Sequence, residues 1–239
     1  MTATEKIRIG LLTPHSANRP HFNRFRALVP QGVSLTIEGV DLAPGSPLEG
    51  VTEKVVRRAA DMTRRHDVHG LILTGAPMSI LNPDVETKLA AMVSVPVTMA
   101  IRASTAALNS IGAKKLILLT PFDDEMNSRL QNRLTDFGFT VLSRPPLEYL
   151  GARTGTHVDP EEIFRIVEKI VSETPGADAI YFQGAPFDPL AVIEKIETGL
   201  QVPVIASNPA MLWHILSLLG CRYSIEGYGK LLRSWPTLR

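Results

Sequence analysis

A side chain that titrates near neutrality, donors able to hold an anion and backbone that lets a ligand approach are the residue-level requirements for acid–base chemistry. His15 and Ser16 directly follow an apolar run ending at Thr13-Pro14, which puts an imidazole able to shuttle a proton beside a hydroxyl. His15 has an equally simple alternative reading as a solvent-exposed loop residue. Asp188 suits a base if partly buried, or else caps the helix that Pro189 opens. Arg102 begins the helix after a strand, where a guanidinium beside a helix N-terminus suits a carboxylate, or it is a surface arginine. Asn208 offers a substrate-side amide, and His214, six residues on, reads as packed or exposed rather than catalytic.

These residues sit among phrases that occur twice. Leu11-Leu12-Thr13-Pro14 returns as Leu118-Leu119-Thr120-Pro121, Gly75-Ala76-Pro77 as Gly184-Ala185-Pro186, and Val95-Pro96-Val97 as Val202-Pro203-Val204. The near-constant offset makes this a duplicated unit far longer than a solenoid repeat, so a pseudo-twofold molecule is expected. The repeated segments supply the expected substrate contacts: Pro14, Thr74, Gly75, Ala76, Pro77, Met78 and Arg102 from the first half, and Pro121, Phe122, Gln183, Gly184, Ala185 and Asn208 from the second. Candidate anion donors are the N–H groups of Ala76, Met78 and Ala185 and the hydroxyls of Thr13, Ser16, Thr74, Ser79 and Thr120.

The elements that must position them are legible as alternating patterns. Short apolar runs bounded by Gly or Pro predict strands at 7–13, 33–40, 70–74 and 97–100, and again at 115–120, 140–143, 179–183 and 204–206. Amphipathic spacing predicts helices over 48–66 and 160–173, the second capped by Asp159 with Pro160 in its first turn. Such alternation means βαβ units and two mainly parallel four-stranded sheets flanked by helices, an α/β fold of two lobes: 1–112 with 214–239, and 113–213. Ligands of open parallel sheets bind outside the carboxyl ends of the strands, where every repeated phrase lies, so the site is expected in the cleft between the lobes.

Composition narrows the function classes. The 239 residues carry a formal net charge of +1 without visible segregation, which argues against nucleic acid or an anionic membrane as a partner. There is no run long enough to span a bilayer and no secretory pattern at the N-terminus, so a cytoplasmic protein is expected. The single cysteine, Cys221, rules out an internal disulfide, and no Cys or His spacing suits a metal. No Gly-x-Gly-x-x-Gly follows the first strand, so dinucleotide binding lacks its phosphate cradle, and no Gly-x-Ser-x-Gly elbow is present. No cofactor is expected; a homodimer or higher homo-oligomer is compatible with the apolar helices.

The strand-end phrases, the stretch from Val202 to His214, the tail Gly227-Tyr228-Gly229-Lys230-Leu231-Leu232 and the segment Asp123 to Leu130 together resemble the aspartate/glutamate racemase superfamily. The closer likeness is to its branch of maleate cis-trans isomerases and arylmalonate decarboxylases. That resemblance implies cofactor-free proton chemistry at a carbon next to a carboxylate, through an enolate-like intermediate, with strand-end cysteines as the acid and base. It puts those cysteines at Gly75 and Gly184, a pair of hydroxyl residues at Ala76 and Pro77, and a phenol at Phe122. Glycine carries no ionisable group, and Cys221 lies beyond the predicted strand ends. The expectation is therefore a decarboxylase, isomerase or related lyase acting on a small organic acid or related carbonyl compound by some route other than two cysteines. His15 is the first proton donor to consider, a bound water the second. The competing expectation is a non-catalytic carboxylate-binding protein on the same fold.

Overall fold

The structure, a computed structural model, describes residues 6–19, 21–43, 45–145, 159–184 and 188–238. Within them the apolar runs form strands β1 (Ile7–Thr13), β2 (Val33–Gly39), β3 (Gly70–Leu73), β4 (Val97–Met99), β5 (Lys115–Leu119), β6 (Thr140–Ser143), β7 (Ala179–Phe182) and β8 (Val204–Ala206). The helices are α1 (His21–Leu28), α2 (Thr52–His66), α3 (Ala76–Leu81), α4 (Val85–Met92), α5 (Ala100–Ser110), α6 (Asp124–Asp136), α7 (Pro160–Glu173), α8 (Ile193–Leu200), α9 (Ser207–Leu218) and α10 (Lys230–Ser234).

Each half builds one all-parallel four-stranded sheet, ordered β2-β1-β3-β4 and β6-β5-β7-β8. The inner strands β3 and β7 and the edge strand β8 are buried along their whole length, as strands covered by helices on both faces are. Edge strand β6 alternates toward solvent, whereas edge strand β2 is half-buried between two buried ends. In both sheets the chain reverses its direction of travel between the first and third strand of the half. A crevice opens at such a switch point, outside the strands' carboxyl ends.

Three apolar clusters hold the layers. Residues of α2 and α4 cover one face of the first sheet, where Val55, Ala59 and Met62 meet Leu71 and Leu73. Helices α7 and α8 cover one face of the second through Ile163, Val167 and Ile196. The third cluster joins the halves: Leu11 and Ile72 of the first sheet and Leu118 and Tyr181 of the second pack with α5 and α9. Helix α9 is apolar nearly all round, with Leu212, Trp213, Ile215 and Leu216 fully buried, and a helix with that pattern belongs in an interior. Burial of each such side chain contributes about 1.5–3 kcal/mol.

The expected helix over 48–66 starts later, at Thr52. Gly50 takes φ +72°, and the fully buried Asn82 captures the preceding loop, donating to the Leu48 carbonyl (2.6 Å) and accepting from Val51 N–H (3.1 Å). Leu48 is thereby free to serve elsewhere. Helix α7 does begin at Pro160, with the Asp159 carboxylate accepting from Glu161 N–H at 2.9 Å.

Candidate active site

A cavity of about 310 Å³ lies at the two switch points. The first half supplies Thr13, Pro14 and His15 after β1, His21 and Phe22 of α1, Leu48, Thr74 to Pro77 after β3, and Ala100 at the start of α5. The second supplies Pro121 and Phe122 after β5, Gln183 and Gly184 after β7, and Ser207, Asn208 and Met211 of α9. No Asp, Glu, Lys, Arg or Cys lines it among the described residues. Any anion held there meets hydroxyls, amides, imidazoles and backbone N–H groups rather than a lysine or arginine.

The backbone is arranged for that. Helices α5 and α9 start immediately after β4 and β8, and neither has a side-chain cap. Their first-turn N–H groups lie at the cavity beside Ala100 and Ser207, where the positive ends of the helix dipoles favour negative charge. The Ser207 and Thr13 side chains, both nearly buried, also reach this space. Both glycines at the strand ends have positive φ, +92° at Gly75 and +112° at Gly184. At Gly184 an added Cβ would stand 2.6 Å from Pro121 Cδ, whereas at Gly75 it would meet only Pro14 Cγ at 3.7 Å.

Two histidines face the cavity. His15 Nδ1 lies 3.4 Å from the Leu42 carbonyl. A carbonyl only accepts, so that contact selects the Nδ1–H tautomer and leaves Nε2 as the basic nitrogen. His21 leans its ring on Phe22, with 4.2 Å between centroids. Burial, then the charges of Arg19 and Arg24, hold His21 below the ordinary histidine pKa, so its ring is neutral at pH 7.

Of the residues expected from sequence, His15, Pro14, Thr74, Gly75, Ala76, Pro77, Pro121, Phe122, Gln183, Gly184 and Asn208 come together here. Ala185 lies outside the described residues. Four others are elsewhere. Ser16 is exposed and its hydroxyl accepts from Asn18 N–H. Met78 is buried in the core against α2 and α4, and its N–H donates to the Gly75 carbonyl at 3.1 Å, so it is no anion donor. Arg102 pairs with Glu86 in a separate surface hollow. It lies two residues beyond Ala100 and so about 200° round the helix from the cavity. Asp188 is buried behind the lining; its Oδ2 lies 3.5 Å from Arg24 Nε of α1, and its Oδ1 accepts from Leu190 N–H at 3.1 Å.

Two of the candidate hydroxyls are also occupied. The Thr120 hydroxyl donates to Asn127 Oδ1 and accepts from Phe122 N–H (3.1 Å), while Asn127 Nδ2 donates to the Phe122 carbonyl (2.9 Å), so α6 fixes the turn that presents Phe122. The Ser79 hydroxyl donates to the Ala76 carbonyl within α3. Cys221 is half-buried, its thiol pushed up by burial, and does not line the cavity. His214 lies under the floor, with Nδ1 2.7 Å from Thr98 Oγ1. Burial, reinforced by Arg102, pulls its pKa down to about 4.

Sequence reasoning missed His21, Phe22, Leu48, Ala100 and Met211 as lining residues, and did not single out Ser207 as one. The apolar spacing of Phe22, Phe25 and Leu28 was a usable signal for α1. Nothing local announces Leu48, whose place depends on Asn82, thirty-four residues away.

A double parallel-sheet α/β fold with a small-molecule-sized hollow at its strand ends defines a class of small-molecule proteins, and the comparisons narrow it. The arylmalonate decarboxylase family model matches residues 10–232, and the chain belongs to that family. Arylmalonate decarboxylase of Bordetella bronchiseptica is 26% identical over 241 residues, covering 93% of this chain and 95% of that protein. A solved structure of unliganded arylmalonate decarboxylase superposes with a TM-score of 0.79 at 21% identity, over 95% of this chain and 99% of that one. A cysteine-to-serine mutant of the Nocardia farcinica maleate cis-trans isomerase, with a covalently bound succinylcysteine intermediate, gives a TM-score of 0.68 at 18% identity, over 95% and 98%. The relatives are thus decarboxylases and isomerases, and the solved structures share the fold.

Proposed function

We propose that the protein is a cofactor-independent enzyme that decarboxylates or isomerises a small organic acid, or a related carbonyl compound, through an enolate-like intermediate. One observation carries the reading: the uncapped N-termini of α5 and α9 face one cavity from the two halves, together with the Thr13, Thr74 and Ser207 hydroxyls and the Asn208 amide. Neutral, preorganised donors aimed at a developing oxyanion stabilise it without having to reorganise during the reaction. The apolar lining from Phe22, Leu48, Phe122 and Met211 excludes water around the rest of the ligand and suits an organic substituent.

The chemistry differs from the cysteine intermediate of the Nocardia farcinica isomerase. Glycine at 75 and 184, and Cys221 away from the cavity, leave no thiol to act there. In a decarboxylation, the bond to the departing CO2 breaks and its electron pair remains as the enolate. A proton from protonated His15 then forms the new C–H bond, and solvent reprotonates the ring. In an isomerisation at a saturated carbon next to the carboxylate, neutral His15 Nε2 takes the proton, the C–H electron pair remains as the enolate, and a bound water returns a proton to the opposite face. The partner is a small carboxylate, with neither nucleic acid nor membrane involved.

The test is calorimetric titration with malonate, phenylmalonate and maleate, followed by incubation of any ligand that binds in D2O. Solvent deuterium at the carbon next to the carboxylate, with CO2 release from a malonate that turns over, is the expected result. Tight binding with neither exchange nor turnover overturns the enzyme reading in favour of a carboxylate-binding protein.

A further inference from the structure

Tyr181 and Gln183 are two residues apart at the carboxyl end of β7 and therefore project from the same face of the sheet. Tyr181 is fully buried against α5 and α9, and Gln183 is 2% exposed. The phenol O–H donates to Gln183 Oε1 at 2.6 Å. Burial pushes the Tyr181 phenol far above the ordinary tyrosine value, with the Ser104 hydroxyl offsetting only part of it, so the phenol keeps its proton and remains the donor. The amide is therefore held by its carbonyl end. Its Nε2 makes no hydrogen bond among the described residues, although the residue lines the cavity.

An NH2 group that opens on the cavity without a protein partner is a donor that a ligand acceptor can engage. The corresponding position after β3 is Thr74, so the two ends of the cavity are not equivalent, and the amide sits beside Gly184 and Asn208. We propose that Gln183 selects an oxygen acceptor on the ligand, a carboxylate or enolate oxygen, and that Tyr181 is a positioning residue acting through it. This inference rests on the small-acid reading above and adds to it which group of the second half touches the acid oxygen.

The full chain is titrated calorimetrically with malonate and phenylmalonate, comparing wild type with Gln183→Ala, Gln183→Glu, Tyr181→Phe and the Gln183→Ala/Tyr181→Phe double variant. Loss of one hydrogen bond predicts about 10-fold weaker binding for Gln183→Ala. Gln183→Glu binds weaker still at pH 8 and, relative to wild type at each pH, regains affinity toward pH 5 as its carboxyl takes up a proton and becomes a donor. Tyr181→Phe weakens binding roughly 3-fold, and in the double variant adds nothing to Gln183→Ala, the pattern of a residue acting only through its partner. Thermal unfolding checks the fold of each variant, and the similarly sized Gln183→Met replaces Gln183→Ala if that variant does not fold. Wild-type affinity in Gln183→Ala or Gln183→Met overturns the role of Gln183, and additive losses overturn that of Tyr181. If the wild type binds neither acid, the small-acid reading falls and this inference with it.

Discussion

Gly184 and Pro121 are packed so closely that no side chain fits between them: a Cβ at 184 would stand 2.6 Å from Pro121 Cδ and 2.8 Å from Cγ. A Cβ at Gly75 would stand 3.7 Å from Cγ of its own proline, Pro14, an ordinary contact. The two strand ends, alike in sequence, thus differ in the space they leave. Gly75→Ala is expected to lose about 1–3 kcal/mol from its positive φ alone. Gly184→Ala adds an overpacking cost of about 1–3 kcal/mol. Urea denaturation of both variants checks this, and equal losses would contradict it.

His214 makes stability depend on pH. With a folded pKa of about 4 against an ordinary 6.5, the unfolded chain binds the proton that the native protein refuses. The contribution is fully present above pH 6.5 and is lost as pH falls from there to 4, by up to about 3 kcal/mol. His21, also lowered, adds loss of the same sign. Subtracting the urea-midpoint profile of His214→Asn from that of the wild type isolates the His214 share; a flat difference between pH 7 and 4 would refute it.

Glu197 ties the C-terminal segment to α8. Its carboxylate accepts from Val204 N–H (3.0 Å) and Lys230 N–H (2.7 Å), and burial raises its pKa. Gly227 N–H and Arg233 are held next to it by Glu194. Glu197→Ala leaves two N–H groups without their acceptor, at a cost of about 2 kcal/mol. Hydrogen exchange at Lys230 and along α10 should accelerate in this variant while β1 is unaffected, and unchanged α10 protection would count against the tie.

His15 and His21 are separable as proton carriers. Removing a general acid or base typically costs about 10²–10⁴-fold in turnover. His15→Ala is expected to lose at least about 100-fold in deuterium incorporation with ligand affinity within roughly 3-fold of wild type. His21→Phe, which keeps an apolar ring against Phe22, should lose far less. The reverse ranking moves the proton to His21, and full activity in His15→Ala removes His15 from the mechanism.

The eight strands were readable because each is a short apolar run closed by Pro or Gly, and their ends moved by no more than a residue or two in the structure. The repeated phrases located the cavity because a switch point forces strand ends together whatever the residues are. Helical phase was the harder quantity. Ala100 faces the cavity and Arg102 faces away, and Pro77 lines the hollow while Met78 turns into the core, distinctions of one or two steps along the chain. Asp188 illustrates another difficulty: proximity to Gly184 in sequence suggested a base, but Arg24 and Leu190 N–H engage the carboxylate behind the wall. Such assignments depend on contacts between distant segments that no local pattern records.

Helix α9 belongs to two environments at once, since Ser207, Asn208 and Met211 touch the cavity while Leu212, Trp213 and Ile215 fill the interior between the sheets. The width of the hollow is therefore set by how tightly the interior is filled. Selection for a new ligand can act on residues the ligand never meets, since Leu212 in the interior and Asn208 at the cavity ride on the same helix. In such a protein the boundary between stability and specificity runs along the axis of one helix.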